Sequence, residues 1–323
     1  MLAAYRAALA ARGVKESVDA MCDLRRLLEN GEVAGLYRHI VVDEAQDMGA
    51  ETFRLLRRLA GAQRPDDLFL VGDGHQRIYG RRASLGACGI DIRGRGRKLR
   101  LNYRTTEEIR RFACAVLQGV AVDDLDEGTD DLRGYRSLMH GSVPTVHGCA
   151  DGAAQARAIA GHIRALRDSG ASEAGICVVL PTNRDLDRWE QILAGEGIVT
   201  RRIQRRAADD PAAPGVRLAT MHRVKGLQFD HTVLPDLDAG HFPDPPVLAQ
   251  LADDVERRRY LDRCRGLQFV ALTRAKLSAY VTFVGGCSAL LTSLHRPVED
   301  GAERAAGTGS RSANPSEKNV CGE

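Results

Sequence analysis

Lysine is scarce in this chain. Only five of its 46 basic residues are lysines, at positions 15, 98, 225, 276 and 318. None follows a glycine and none precedes serine or threonine, so the sequence holds no Gly-Lys-Ser/Thr phosphate-gripping loop. Aromatic residues make up 5% of the chain, with one tryptophan, Trp189. No apolar run approaches the ~20 residues that cross a bilayer, which argues against a membrane partner. Residues 1–10 read as a helix and not as a signal peptide, so a cytoplasmic location is expected. The cysteines stand at 22, 88, 114, 149, 177, 264, 287 and 321. No two have the short gap of a zinc knuckle, and nothing in the spacing suggests a disulfide framework.

The 323 residues carry 28% charged side chains and a net charge of +3, which fits two globular domains. That charge is too small to establish a polyanionic partner. Arginine clusters at 93–100, 201–206 and 257–265 say more, because the guanidinium fork suits phosphate contacts and base stacking. A genome that writes Arg for Lys, or solvated helix faces, would explain the excess equally well.

Residues 1–30 read as helix, closing at Asn30-Gly31, and residues 38–43 as a strand. Helix 49–61 follows, and Leu68-Phe-Leu-Val71 forms a second short strand ending in Gly72-Asp-Gly74. This is a βαβ pattern, whose ligands bind beyond the carboxyl ends of the strands. Thr105 and Glu108 suggest a capping box for a helix to about 117. The acid-rich stretch 119–148 reads as a linker or surface excursion. From about 150 the pattern is helix 152–168, strand 175–180, helix 183–195, strands 198–203, 216–220 and 230–235, helix 250–272 and strand 279–284. Alternation of this kind predicts a mostly parallel sheet. Beyond Pro297 the composition predicts a disordered tail.

Five clusters carry chemistry. Ile40-Val-Val-Asp-Glu-Ala-Gln-Asp47 delivers Asp43 and Glu44 to a strand end. Asp43 could hold magnesium through oxygen, and Glu44 could orient or deprotonate a water. Helix-capping acids are the plainer alternative. In Val71-Gly-Asp-Gly-His-Gln-Arg-Ile-Tyr79, Gln76 could reach a γ-phosphate and a water, or belong to a polar turn. His75 reads as a turn histidine. In Leu99-Arg-Leu-Asn-Tyr-Arg104, Arg104 could neutralise charge on a transferred phosphoryl and Tyr103 could stack on a purine or fill a core. In Val216–Phe229, Thr220, His222 and Lys225 gather at a strand-to-helix turn whose helix N-terminus could hold a phosphate. The last cluster, Phe269–Lys276, places Arg274 on the helix before the final strand.

In this order the clusters resemble the UvrD/Rep branch of superfamily-1 helicases, over about residues 36–285. The matching runs are Asp-Glu-Ala-Gln-Asp, Gly-Asp-x-x-Gln-x-Ile-Tyr, Asn-Tyr-Arg, Thr-x-His-x-x-Lys-Gly-Leu and Thr-Arg-Ala. The resemblance implies an α/β fold of two RecA-like units with parallel sheets. The first, about 1–102, would be incomplete; the second would span about 103–296, with the tail at 297–323. It implies ATP and Mg2+ as cofactors and single-stranded DNA as partner, with stepping 3′ to 5′. Asp43 and Glu44 would serve magnesium and water, Gln76 would sense the γ-phosphate and Tyr103 would contact the base. Arg104 and Arg274 would act as arginine fingers from the two sides of a cleft. His222 and Lys225 would couple that cleft to DNA, with Thr220 beside them. Lys225, Gly226 and Gln228 would lie on the nucleotide.

The chain departs from that pattern in four places. With no Walker A loop, the expectation is that Met1 begins inside a longer helicase, or that a second polypeptide supplies the loop. Arg81 and Arg82 stand after Tyr79, where family members place a DNA-stacking tryptophan. Gln228 stands where a glutamate is expected near the nucleotide sugar. The interval from 105 to 215 leaves no room for the accessory domain of larger members. Two functions follow: the motor portion of a helicase that hydrolyses ATP once the loop is supplied, or a non-catalytic nucleic-acid-binding or partner-docking module.

Overall fold

The computed structural model describes residues 2–35, 37–78, 83–123, 128–130, 133–204 and 209–291. Tyr79, Arg81, Arg82 and the tail from 297 lie outside these residues.

The chain opens with α1 (Leu2–Ala11) and α2 (Ser17–Glu29), then β1 (Ile40–Val42), α3 (Ala50–Leu59) and β2 (Leu68–Leu70). The single helix expected over 1–30 is two helices, because Gly13 takes a left-handed φ of +63° between them. β1 and β2 pair in parallel, with Val41 opposite Phe69. Period-2 alternation puts Ile40, Val42, Leu68 and Leu70 on one face of this sheet. They pack with Phe53 of α3 and with Leu85, Cys88 and Ile90 to form a small core.

β3 (Leu101–Thr106) leads into α4 (Glu107–Val116), followed by β4 (Val122–Asp123), β5 (Thr129–Asp130), β6 (Arg136–Met139) and β7 (Thr145–Cys149). The stretch expected to be a linker or surface excursion therefore holds or begins four short strands. β4 and β5 pair antiparallel, and β6 pairs in parallel with β3. The expected capping box is also displaced. Thr106, not Thr105, caps α4 by accepting from Ile109 N–H at 3.3 Å. Glu108 does not reach back to the cap; it accepts from Gly141 N–H at 2.8 Å and contacts His140.

The rest of the chain is α5 (Gly152–Asp168), β8 (Ile176–Leu180), α6 (Asn183–Gly195), β9 (Thr200–Arg202), β10 (Val216–Thr220), β11 (Phe229–Leu234), α7 (Pro245–Gln250), α8 (Asp254–Leu272) and β12 (Ala275–Val284). The helix expected over 250–272 is α8, which ends where expected but starts four residues later, at Asp254, with Asp253 as its cap accepting from Val255 N–H. The final strand starts four residues earlier than expected, at Ala275. The sheet order is β7-β12-β11-β8-β10-β9, and every pair is parallel. The expected α/β class with parallel sheets is therefore what the chain adopts. Helices α5 and α6 cover one face through Ile159, Ile163, Trp189 and Leu193. Helices α4 and α8 cover the other through Ile109, Ala113, Leu267 and Val270. All five residues of β8 are fully buried, as a central parallel strand requires. Each such large side chain contributes about 1.5–3 kcal/mol as an upper estimate.

The link between β9 and β10 is pinned from inside. Arg217 is completely buried, and its guanidinium donates to Asp209 Oδ2 at 2.9 Å and to the carbonyls of Asp210, Ala213 and Gly215. Ile78, just after the Gln76 turn, belongs to the core of the six-stranded unit. The two sheets are thus joined through that turn, and α8 passes close enough for a Cβ on Gly266 to lie 3.4 Å from the Arg77 carbonyl oxygen. No helix among the described residues is long and apolar enough to cross a membrane. The cysteines of the described residues are all free.

Candidate functional site

β1 ends at Val42, and the chain turns sharply. Asp43 is exposed, and its Oδ1 accepts from Glu44 N–H at 2.8 Å. Glu44 takes φ +53°, ψ +39°, a left-handed conformation that costs a non-glycine residue about 1 kcal/mol. The turn directs the Glu44 carboxylate to Gln46, whose side-chain amide donates to Glu44 Oε2. Gln46 is 1% exposed. Its other end, Oε1, accepts from Asp73 N–H at 2.9 Å. One buried amide therefore ties the carboxyl end of β1 to that of β2.

Beyond β2, Asp73 caps a single turn over 74–76, accepting from His75 N–H at 2.9 Å. Gln76 Nε2 donates to Asp73 Oδ2 at 2.8 Å, which leaves its Oε1 facing the six-stranded unit. Arg274 Nη2 donates to that oxygen at 3.0 Å. Arg274 is 4% exposed, and its remaining donors reach the carbonyls of Val270 and Leu227. Burial pulls its pKa below the ordinary arginine value. The Glu44 and Asp73 carboxylates oppose that pull, and the Arg104 guanidinium adds to it. Arg274 does not lie on α8 as expected, but in the turn between Leu272 and Ala275.

Lys225 crosses the same gap. Its ammonium donates to Asp47 Oδ1 at 2.7 Å and to the Gln76 carbonyl at 2.8 Å, and lies 3.7 Å from Glu44 Oε2. The Lys225 side chain is 8% exposed, so this is a largely desolvated interaction. Gly226 follows at φ +81°, a conformation that turns the chain away at once.

The structure thus brings Glu44, Gln76, Lys225 and Arg274 together at one junction between the sheets, with Asp43 beside Glu44 on the same turn. Gln46 and Asp47 were missed as site residues. Their signal was present, since both are polar residues within the turn that follows the acids. Arg104 and Tyr103 lie in the middle of β3, where its pairing with β6 is irregular, with exposed side chains, Tyr103 at 65%. Asn102 shapes that stretch, its Oδ1 accepting from Arg104 N–H at 2.7 Å.

Thr220 ends β10, and its Oγ1 accepts from Arg223 N–H at 3.2 Å. His222 and Gln228 are exposed. Residues 221–226 form turns and not a helix, so the expected helix N-terminus for a phosphate does not exist there. His75 is 6% exposed, with Phe269 and Tyr135 near its ring, which makes it an interdomain packing residue.

Mg2+ takes oxygen ligands and keeps waters and substrate phosphates in its shell, so one or two protein carboxylates suffice. The Asp43 and Glu44 carboxylates fit that donor set. No group of three or more metal-binding side chains occurs among the described residues, so a closed protein cage is not what the site offers.

A parallel-sheet α/β architecture, with strand-end acids at the two-stranded sheet facing a lysine and an arginine of the six-stranded unit, places the chain among α/β proteins whose site lies at the carboxyl ends of parallel strands. Within that class the chain belongs to the UvrD-type superfamily-1 helicases. The UvrD/REP helicase N-terminal domain matches residues 1–86, and the UvrD-like helicase C-terminal domain matches residues 201–285. A protein of Mycoplasma pneumoniae named "Probable DNA helicase" is 25% identical over 299 residues, covering 88% of this chain and 51% of the relative. The ATP-dependent DNA helicase UvrD2 of Mycobacterium tuberculosis is 29% identical over 167 residues, covering 50% of this chain and 23% of the relative. The chain spans about half or less of the length of these curated relatives. The C-terminal domain of a possible DNA helicase from Lactobacillus plantarum shares 16% identity at a TM-score of 0.41, covering 60% of this chain and 94% of that one.

Proposed function

We propose that the chain is the motor portion of an ATP-dependent DNA translocase that steps 3′ to 5′ on single-stranded DNA. On this reading its phosphate-binding lysine loop comes from polypeptide outside these 323 residues. The observation that carries the proposal is the double contact across the cleft, Arg274 to Gln76 at 3.0 Å and Lys225 to Asp47 at 2.7 Å. Side chains from the two units meet at the carboxyl ends of β1 and β2, where ligands of parallel sheets bind.

Asp43 would hold Mg2+, which when bound supplies charge neutralisation at the phosphates. Glu44, fixed by Gln46, would take the proton of an attacking water. Gln76 would exchange its Arg274 contact for the terminal phosphate and so report nucleotide state to the six-stranded unit. Arg274 and Arg104 would stabilise the charge that grows on the transferred group, a role worth roughly three to five powers of ten in rate. The exposed Tyr103 ring offers a platform for the base. Thr220 and His222, beside Lys225, would carry the cleft's state to DNA, together with the arginines at 81 and 82.

Turnover of Mg-ATP tests this. The 323-residue chain alone is expected to show none. Joined to a segment carrying a Gly-Lys-Thr loop, it is expected to hydrolyse ATP in a DNA-stimulated way. The other reading is a helicase-derived, non-catalytic nucleic-acid-binding or docking module, favoured by the absence of a phosphate-binding lysine loop from the sequence. Persistent inactivity of the joined protein, with DNA binding intact, would select it.

A further inference from the structure

His75 does more than pack between the two sheets. Its backbone N–H and its ring Nδ1 both bond to Asp73 Oδ1, at 2.9 and 3.0 Å. An ionised aspartate only accepts, so Nδ1 carries the proton. The residue is 6% exposed, and its Nε2 is buried with no hydrogen-bond partner. The Phe269 ring centre lies 6.2 Å from that of His75, and Tyr135 meets it edge-on at 5.9 Å. The Tyr135 hydroxyl donates its proton to Asp130 Oδ2 at 2.7 Å, so it has none for the imidazole. A buried nitrogen without a partner costs free energy that a phenylalanine in the same place would avoid. What the imidazole gains in return lies in the Asp73 contact.

That contact governs the next residue. With Oδ1 engaged twice by His75, Oδ2 is left for Gln76, whose Nε2 donates to it at 2.8 Å. A side-chain amide has one donor end and one acceptor end. Asp73 accepts the donor end, so Oε1 points the other way and meets Arg274 Nη2 at 3.0 Å. A carboxylate free to rotate would let the amide turn over and set its NH2 against a guanidinium that can only donate. We propose that His75 is a positioning residue for Gln76: it locks the Asp73 carboxylate, and the locked carboxylate keeps the glutamine oxygen toward Arg274. The proposal rests on the motor reading above, in which Gln76 exchanges that arginine for the terminal phosphate. A glutamine already held in one orientation has less to reorganise when nucleotide arrives.

Two substitutions separate the hydrogen bond from the packing. His75→Phe keeps a ring between Phe269 and Tyr135 and removes the donor. His75→Asn removes the ring and keeps a donor near the place of Nδ1. Hydrogen exchange of the Gln76 side-chain amide is read by NMR on the full 323-residue chain, with the resonance assigned by its loss in Gln76→Glu. Exchange should be about tenfold faster or more in His75→Phe and close to wild type in His75→Asn. Asp73→Asn, whose amide can turn its own donor toward Gln76, should loosen the glutamine as His75→Phe does, and it decides the matter if His75→Phe fails to fold. Equal exchange in wild type and in the variant lacking the donor overturns the proposal. So does equal loosening in His75→Phe and His75→Asn, which would assign the effect to the shape of the ring. Turnover is read separately, with the chain joined to a Gly-Lys-Thr loop segment. His75→Phe should lower kcat for Mg-ATP about tenfold with KM little changed, and His75→Asn should restore it. No turnover by the joined wild type removes the motor reading and leaves the exchange result to decide the positioning. A loosened amide with an unchanged kcat overturns the step from positioning to reaction.

Discussion

Arg274 and Gln76 lie 198 positions apart in the chain, yet the arginine's Nη2 donates to the glutamine's Oε1 at 3.0 Å. The same glutamine donates to Asp73 and offers its carbonyl to Lys225. One residue therefore stands at the junction of both sheets, touching Asp73 and Arg274 with its side chain and Lys225 with its backbone carbonyl, but not the Asp43–Glu44 turn. That turn is reached through Lys225 and Gln46.

The Lys225–Asp47 pair should be coupled energetically. Lys225 is 8% exposed and Asp47 23%. Removing one partner strands the other in a partly dry site. Lys225→Met and Asp47→Asn should each lower stability by about 1–3 kcal/mol, and the double variant should cost little more than either single one. Urea midpoints check this; additive losses would show that the two groups act independently.

The two arginines should separate by burial. Arg104 is exposed, so Arg104→Ala should change stability by no more than about 0.5 kcal/mol. Arg274→Ala should lower the thermal midpoint clearly, because it empties a buried position and removes the donors to Gln76 Oε1 and to the Leu227 carbonyl. Thermal melts of the two variants decide the point.

Much of the second unit was legible from sequence, for local reasons. Strand 216–220 and helix 183–195 coincide with their expected bounds, because Val216–Thr220 starts after Pro214-Gly215 and begins and ends on β-branched residues, and Thr182 with Asp185 forms a true capping box. The acids, Gln76 and Lys225 could be picked out because each follows a strand end. The edge strand β7 could not. Thr145–Cys149 contains His147 and Gly148, weak strand formers, and owes its state to pairing with β12. The turn after Thr220 was misjudged for a similar reason. Gly226 and the cross-cleft bonds of Lys225 hold those residues out of a helix, and neither influence is local. Asp47 was overlooked because its partner lies 178 residues away.

Glu107 should govern acid stability. It anchors α4 to β6, accepting from Arg110 and Arg111 and from Ser137 N–H at 2.8 Å. The Arg110 bonds first, then the Ser137 and Arg111 bonds, hold its carboxyl down at about 2, against the opposing effect of burial. Its folded value lies below its unfolded value near 4.5, so the stabilisation is complete above 4.5 and is lost as the pH falls toward about 2. Glu107→Gln should cost about 2–3 kcal/mol at neutral pH and flatten that part of the pH profile. Melting followed over the acid range measures both.

A second acid-sensitive group sits on the far side of the large sheet. His162 stacks on Tyr280 with ring centroids 4.2 Å apart, and burial, then His231, pull its pKa below 6.5. A histidine with a lowered folded pKa leaves stability intact above 6.5 and erodes it as the pH falls through the lowered value. His162→Phe should therefore lose less melting temperature than wild type between about pH 7.5 and about pH 5.5. Equal losses in the two proteins would place the titration elsewhere.

The central claim is that Glu44 and Arg274 serve one reaction from opposite walls of one cleft. Single-turnover hydrolysis of Mg-ATP on single-stranded DNA, by the chain joined to a Gly-Lys-Thr loop segment, tests it most directly. Glu44→Gln and Arg274→Lys should each slow the chemical step by roughly three or more powers of ten while nucleotide and DNA still bind. Hydrolysis at the wild-type rate by either variant would contradict the account.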